Sequence, residues 1–180
     1  MRVGDLQFGG VQQHADLRLQ DYRDIDDGPY DAICSIEMLE AVGQEYWPTY
    51  FNTVARLLKP GGKACIQTIV IDDALFERYV KSTDFIQQYI FPGGCLPCPR
   101  EFRAQAERAG LKVVDELAFG LDYAETLRRW RQQFMADRAH VLQLGFDERF
   151  IRIWEFYLAY CEAAFEQHNT DVLQFTLVKP

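Results

Sequence analysis

Histidine is scarce in this chain: His14, His140 and His168 are the only three in 180 residues, and they share no ligand spacing. A histidine-built metal centre therefore has no footing in the sequence. No apolar run approaches the roughly 20 residues of a membrane span. The opening Met1-Arg2-Val3-Gly4-Asp5-Leu6 has no apolar signal region, so a cytoplasmic protein is the default expectation. Cysteine is odd in number, five, and spread through the chain, which argues for free thiols rather than a disulfide framework. Cys95-Leu96-Pro97-Cys98 has no second cysteine pair, and Cys98 before Pro99 sits where a helix N-cap belongs, so no metal is expected there. Positive charge is also short: 19 Lys and Arg against 27 Asp and Glu leave −8, which disfavours nucleic acid and any general attraction to anionic lipid. Arg128, Arg129, Arg131 and Arg138 are the local exception. Such a run is most often a solvated helix face, and the other reading is contact with phospholipid head groups.

What is present reads as one α/β domain with 48% hydrophobic residues and no repeat or linker. Leu17 to Gln20 looks like a short strand, and 31–36 like a buried one leading into a loop with Glu37 and Glu40. Gln44 to Leu58 has Trp47, Tyr50, Phe51, Val54 and Leu58 at helical spacing, stopped by Pro60-Gly61-Gly62. Lys63 to Ile71 reads as a central strand. A strand, a helix and a strand make a parallel βαβ unit, and such sheets place ligands at the strands' carboxyl ends, where Glu37 and Glu40 stand. Residues 72–98 form an aromatic-rich insertion. Its Phe76, Tyr79, Phe85, Tyr89 and Phe91 either line a channel or pack the insertion over the sheet. A helix from Pro99 to Ala109, a strand from Leu111 to Ala118, helices at about 123–139 and 147–167 and a strand from Asp171 to Val178 follow.

Several stretches together resemble a family. Leu19-Gln20-Asp21-Tyr22-Arg23-Asp24, Ser35-Ile36-Glu37-Met38-Leu39-Glu40-Ala41-Val42-Gly43, Gln67-Thr68-Ile69, Tyr89-Ile90-Phe91-Pro92-Gly93-Gly94, Asp122-Tyr123 and Tyr157-Leu158-Ala159-Tyr160-Cys161 are similar to the cyclopropane-fatty-acyl-phospholipid synthases, including the mycolic acid cyclopropane synthases. The match in order and spacing runs from about Leu17 to Pro180. It implies the C-terminal part of a class I methyltransferase sheet, Rossmann-like, with helices on both faces and a helical insertion at about 72–98.

The resemblance also implies a reaction. The methyl of S-adenosylmethionine passes to a cis double bond in an unsaturated phospholipid acyl chain. A bicarbonate ion then removes a proton, and a cyclopropane ring closes. Bicarbonate would be held by Glu40, Gln67, Ile69 and Tyr123, and Asp21 and Tyr22 would contact the donor's adenine. Gln67 stands where many members have histidine, as does Ala41; glutamine can hydrogen-bond an anion but does not titrate near neutrality. Cys161 matches a cysteine marked as active in the family, and its apolar helix equally suits a structural thiol. Glu37 reads as a loop or capping residue. The implied partners are a phospholipid substrate with peripheral membrane contact, and a homodimer or a partner segment.

Met1 to Ala15 contains Gly4, Gly9 and Gly10 but no strand flowing into the Gly-x-Gly turn that holds the donor in class I methyltransferases. Residues 1–16 are therefore expected to stand outside the catalytic domain at 17–180, with the first two strands missing and the strand at 31–36 left as an open edge. A non-catalytic fragment, a subunit that needs a partner, or a methyltransferase on another substrate are the alternatives.

Overall fold

The computed structural model describes residues 14–180. β1 (Tyr30–Ile36) is followed by the short α1 (Leu39–Val42), a 3-10 turn at Gln44–Tyr46, α2 (Trp47–Leu57) and β2 (Leu58–Ile71). A proline in its first turn opens α2, and Trp47, Tyr50, Phe51, Val54 and Leu57 are buried on one face at three- and four-residue spacing. Gly61 has φ +75°, a left-handed conformation that glycine adopts without a side-chain clash, so the chain turns there and pairs again as a strand.

The remaining elements are α3 (Asp73–Tyr79), α4 (Phe85–Tyr89), α5 (Pro99–Arg108), β3 (Lys112–Ala118), α6 (Gly120–Ala136), α7 (Arg138–Gln143), α8 (Glu148–Glu166) and β4 (Thr170–Val178). The sheet order is β1-β2-β4-β3. β1 pairs with β2 in parallel, from Ala32 opposite Lys63 to Ile36 opposite Gln67. β2 pairs antiparallel with β4, and β4 with β3. One face of the sheet buries Ala64, Ile66, Phe175 and Leu177 against α2 and α5. There Phe102 stacks on Phe175 with ring centroids 3.8 Å apart, and Phe51 meets Phe102 edge-on. The other face carries Ile69 and Val172 beneath Ala124 and Leu127 of α6 and Leu158 and Phe165 of α8. This alternation along β2 and β4 is the two-residue strand period.

The expected strand at 17–20 is not formed: residues 15–21 are irregular, and Leu19 is fully exposed. Without a neighbour in the sheet, its backbone groups have no ladder to join. The long helix expected at 123–139 begins earlier, at Gly120, and ends at Ala136, with α7 as a separate turn after Asp137. Among the described residues β1 lies at a sheet edge, with Ala32, Cys34 and Ile36 exposed. Gly4, Gly9 and Gly10 fall outside the described residues. Among the described residues no helix is long and apolar enough to cross a membrane.

The arginine cluster is paired internally. Arg128 and Arg131 both reach Glu162 (3.0 and 2.9 Å), Arg128 also meets Glu125 and Glu166, Arg129 meets Glu125 at 2.8 Å, and Arg138 meets Glu148. Four of those six contacts fall on Glu125 and Glu162, either between neighbouring turns of α6 or across to α8, so the run ends as a solvated, neutralised helix face.

Candidate active site

The site is built where β1 stops. Glu37 has φ +52°, a left-handed conformation uncommon for a residue with a Cβ, and its N–H donates to the Gln67 carbonyl at 2.8 Å. That turn brings its carboxylate beside β2. Gln67 Nε2 donates to Glu37 Oε1 at 2.9 Å and to the Tyr123 hydroxyl at 3.2 Å, while the Tyr123 hydroxyl donates to the same Glu37 oxygen. Gln174 Nε2 donates to Gln67 Oε1 at 2.9 Å, which fixes the amide with its N–H groups toward Glu37. Tyr123 is delivered by the first turn of α6. The Gly120 N–H donates to Asp171 Oδ1 at 2.8 Å, and a Cβ at Gly120 would stand 2.5 Å from that oxygen, so the approach requires glycine. The Tyr123 ring packs between Phe119 and Phe165.

Glu40 lies in α1, one helical turn beyond Glu37. Its Oε1 accepts the Ile69 N–H at 2.6 Å, and its Oε2 is buried with no hydrogen-bond partner. Burial pushes the carboxyl above its ordinary range, opposed by the Ile69 N–H. A carboxyl raised in the folded state contributes stability below its unfolded value, near 4.5, and loses that contribution as pH rises through the raised value. Glu40→Gln is therefore expected to remove one component of the stability loss between acid and neutral pH. Thermal unfolding of both proteins across that window checks it: the gap between them must shift in favour of the glutamine variant as pH rises, and parallel curves would count against the assignment.

Both carboxylates border a largely apolar cavity of about 550 Å³ between the sheet end, the 72–98 insertion and α8. Ile69, Ile71, Leu75, Phe91, Tyr157 and Phe165 line it. Of the insertion aromatics, Tyr79 and Phe91 line the cavity, and Phe76 is buried in the core beside Trp47. Both readings of those aromatics hold, each for different residues. The Tyr79 hydroxyl accepts the Leu96 N–H at 3.1 Å, so the insertion's closing loop is held over the cavity.

Cys161 lines the same cavity, and burial pushes its thiol up to about 12. The thiol form is then strongly favoured at pH 7, which is poor for a nucleophile. Iodoacetamide at neutral pH is expected to modify the exposed Cys34 well before Cys161, as read by peptide mass spectrometry. Equal rates would restore Cys161 as a reactive group.

Asp21 and Tyr22 stand apart from this network. Asp21 caps the turn Tyr22–Asp24; its oxygens accept the Arg23 N–H at 2.9 Å and the Arg23 guanidinium at 2.6 and 3.0 Å, which holds the carboxyl down near 2. The Tyr22 ring lies 5.9 Å from that of Tyr50, whose hydroxyl donates to Ser35 Oγ at 2.7 Å near the end of β1. So Tyr22 packs on the α2 face and Tyr123 on the opposite one. Glu37 is the residue that the sequence undervalued; its position directly after a strand's carboxyl end was the available signal.

The family model for mycolic acid cyclopropane synthetases matches residues 4–175. The chain belongs to that family. It is 43% identical over 179 residues to the tuberculostearic acid methyltransferase UfaA1 of Mycobacterium tuberculosis, covering 99% of this chain and 41% of that protein. It is 37% identical over 163 residues to the cyclopropane-fatty-acyl-phospholipid synthase of Escherichia coli K12, covering 88% of this chain and 40% of that protein. The chain thus spans about 40% of the length of these relatives. Among solved structures, mycolic acid cyclopropane synthase CmaA1 complexed with SAH and CTAB superposes with a TM-score of 0.79 at 28% identity, over 89% of this chain and 59% of that one. The cyclopropane synthase MmaA2 from Mycobacterium tuberculosis gives 0.80 at 24% identity, over 98% and 68%, a likeness of fold. The family fold is the class I methyltransferase α/β sheet, of which the four strands here are a part.

Proposed function

We propose that this chain carries the acyl-chain cavity and the proton-abstracting group of an S-adenosylmethionine-dependent lipid methyltransferase acting on the cis double bond of an unsaturated phospholipid. The observation that carries the reading is the apolar cavity bordered by Glu37 and Glu40, with the first carboxylate pinned by Gln67 and Tyr123. The donor would supply an electrophilic methyl, with the Tyr22 ring offering a face to its adenine while Asp21 holds the turn that carries that ring. An alkene is a weak nucleophile, so the cavity's exclusion of water matters to the reaction. After methyl addition the acyl chain bears a positive charge, which the faces of Phe91 and Tyr157 stabilise. Glu37 then takes a proton from the new methyl group, the C–H electron pair closes the ring, and Gln67 and Tyr123 keep the accepting oxygen in position. Loss of a proton from a chain carbon instead leaves a methyl-branched alkene of the same mass.

The bicarbonate that the family resemblance implies does not fit well here. Gln67 and Tyr123 already donate to Glu37, and the Ile69 N–H already donates to Glu40. Among these four residues the orphaned Glu40 Oε2 is the open position, and it belongs to a carboxyl that burial biases toward keeping its proton. The Glu37 carboxylate stands where a separate anion would be bound. Unsaturated phospholipid would be drawn from the cytoplasmic face of the membrane.

Lipid extracts from cells carrying the gene with its native flanking DNA test this. A gain of one CH₂ on monounsaturated chains is expected, with upfield proton resonances if the ring closes and olefinic ones if it does not. Unchanged lipids would sink the reading. The exposed edge of β1 favours a second reading, that these 180 residues need a partner or further chain to turn over. Calorimetric titration of the chain with S-adenosylmethionine separates the two: tight one-to-one binding argues against the partner requirement.

A further inference from the structure

Arg149 and Arg152 stand outside the pairing that neutralises the cluster on α6. Arg149 and Arg152 are exposed on α8, and among the described residues no carboxylate forms an ion pair with either. The acid next to Arg149, Glu148, is engaged by Arg138. Arg149, Arg152, Phe156 and Tyr160 recur at three- and four-residue intervals, so they form one stripe along the helix. α4 lies against that stripe. Phe85 packs edge-on to Phe156 at 4.7 Å and also meets Tyr160 at 6.3 Å and Tyr89 at 5.3 Å.

The result is a groove of about 370 Å³ lined by Phe85, Tyr89, Arg149, Arg152, Ile153 and Phe156. Tyr89 and Phe156 are each about half exposed, at 54% and 51%. Large aromatics left in water beside unpaired guanidinium groups are costly to solubility unless something covers them. The groove also adjoins the acyl cavity, since Tyr160 lines that cavity and touches the Phe85 ring that lines the groove.

We propose that this face of α4 and α8 docks on an anionic bilayer, with Arg149 and Arg152 on lipid phosphates and Tyr89, Phe156 and Tyr160 entering the headgroup layer. Guanidinium groups match phosphate oxygens in charge and geometry, and aromatic side chains with an apolar body and a polar tip settle at membrane interfaces. The protein as a whole carries −8, so the bulk of its surface is repelled by such a bilayer while this patch is attracted to it. An acyl chain would then pass the Phe85–Tyr160 contact into the cavity. The inference rests on the lipid reading and gives it a membrane-facing side.

The test is sedimentation of the 180-residue protein with vesicles of phosphatidylglycerol mixed with phosphatidylcholine, against vesicles of phosphatidylcholine alone. Binding is expected to the mixed vesicles, weakened by salt, and lowered about 30-fold by R149Q with R152Q. R108Q with K112Q removes the same charge from exposed sites on α5 and β3 and is expected to leave binding unchanged. The proposal is overturned if R149Q/R152Q binds as the parent does. It is also overturned if the control loses as much, or if the parent binds no vesicle and instead captures an acidic acyl carrier protein. Failure of the lipid reading shows separately, as vesicle binding without any CH₂ gain in lipid extracts.

Discussion

Replacing Glu37 by glutamine is expected to lower methyl-transfer turnover by roughly 10²–10⁴-fold, the range for losing a positioned general base. S-Adenosylmethionine affinity should stay within a few-fold, because the substitution keeps the side chain's shape and Tyr22 lies on the other face of the sheet. The glutamine can still accept from Tyr123, so the geometry survives while the proton acceptor is gone. Tyr123→Phe should cost less, since Gln67 alone still holds Glu37. Turnover measured under saturating donor, together with calorimetric donor titration, separates loss of chemistry from loss of binding. A Glu37→Gln protein that turns over normally would remove Glu37 from the mechanism.

The second large effect is on stability. Phe175 is fully buried in β4, stacked on Phe102 and joined through it to Phe51. This stack fastens α2 and α5 to the sheet that positions Gln67 and Gln174. Phe175→Ala deletes a ring from a fully buried cluster, and the surrounding side chains can fill the gap only in part. About 3–5 kcal/mol of unfolding free energy should be lost. For a chain of this size that lowers the melting temperature by roughly 10 °C. Urea unfolding followed by circular dichroism gives the value directly, and a loss under about 1 kcal/mol would mean that the core repacks around the gap.

Periodicity made α2, α8, β2 and β4 legible, because each presents a continuous buried face at its own spacing. It misled at Leu17–Gln20, where two leucines alternate with polar residues but nothing in the described chain pairs with them. Glu40 was expected in a loop at the strand's end; it lies in α1 and borders the cavity. The use of the Ile69 N–H was not legible, because the backbone donor expected to meet a bound anion meets Glu40 instead. Glu37 read as a capping residue because its left-handed backbone, which turns the carboxylate onto Gln67, leaves no trace in residue type. The arginine run was legible as a solvated helix face, but its partners were not. Arg128 and Arg131 find Glu162 on a helix more than 30 residues away, while Arg149 and Arg152, less conspicuous in sequence, stay free of carboxylates among the described residues.

Chemical rescue addresses most directly whether the Glu37 carboxylate takes the place of a bound anion. Glu37→Gly removes that carboxylate and leaves Gln67 and Tyr123 facing a gap. Lipid methylation by this variant is to be measured with and without added formate or bicarbonate, beside the parent protein. The expected result is a parent indifferent to added anion and a nearly inactive variant whose activity rises with anion concentration. A parent that itself requires bicarbonate, with a Glu37→Gly variant as active as the parent, would contradict the account.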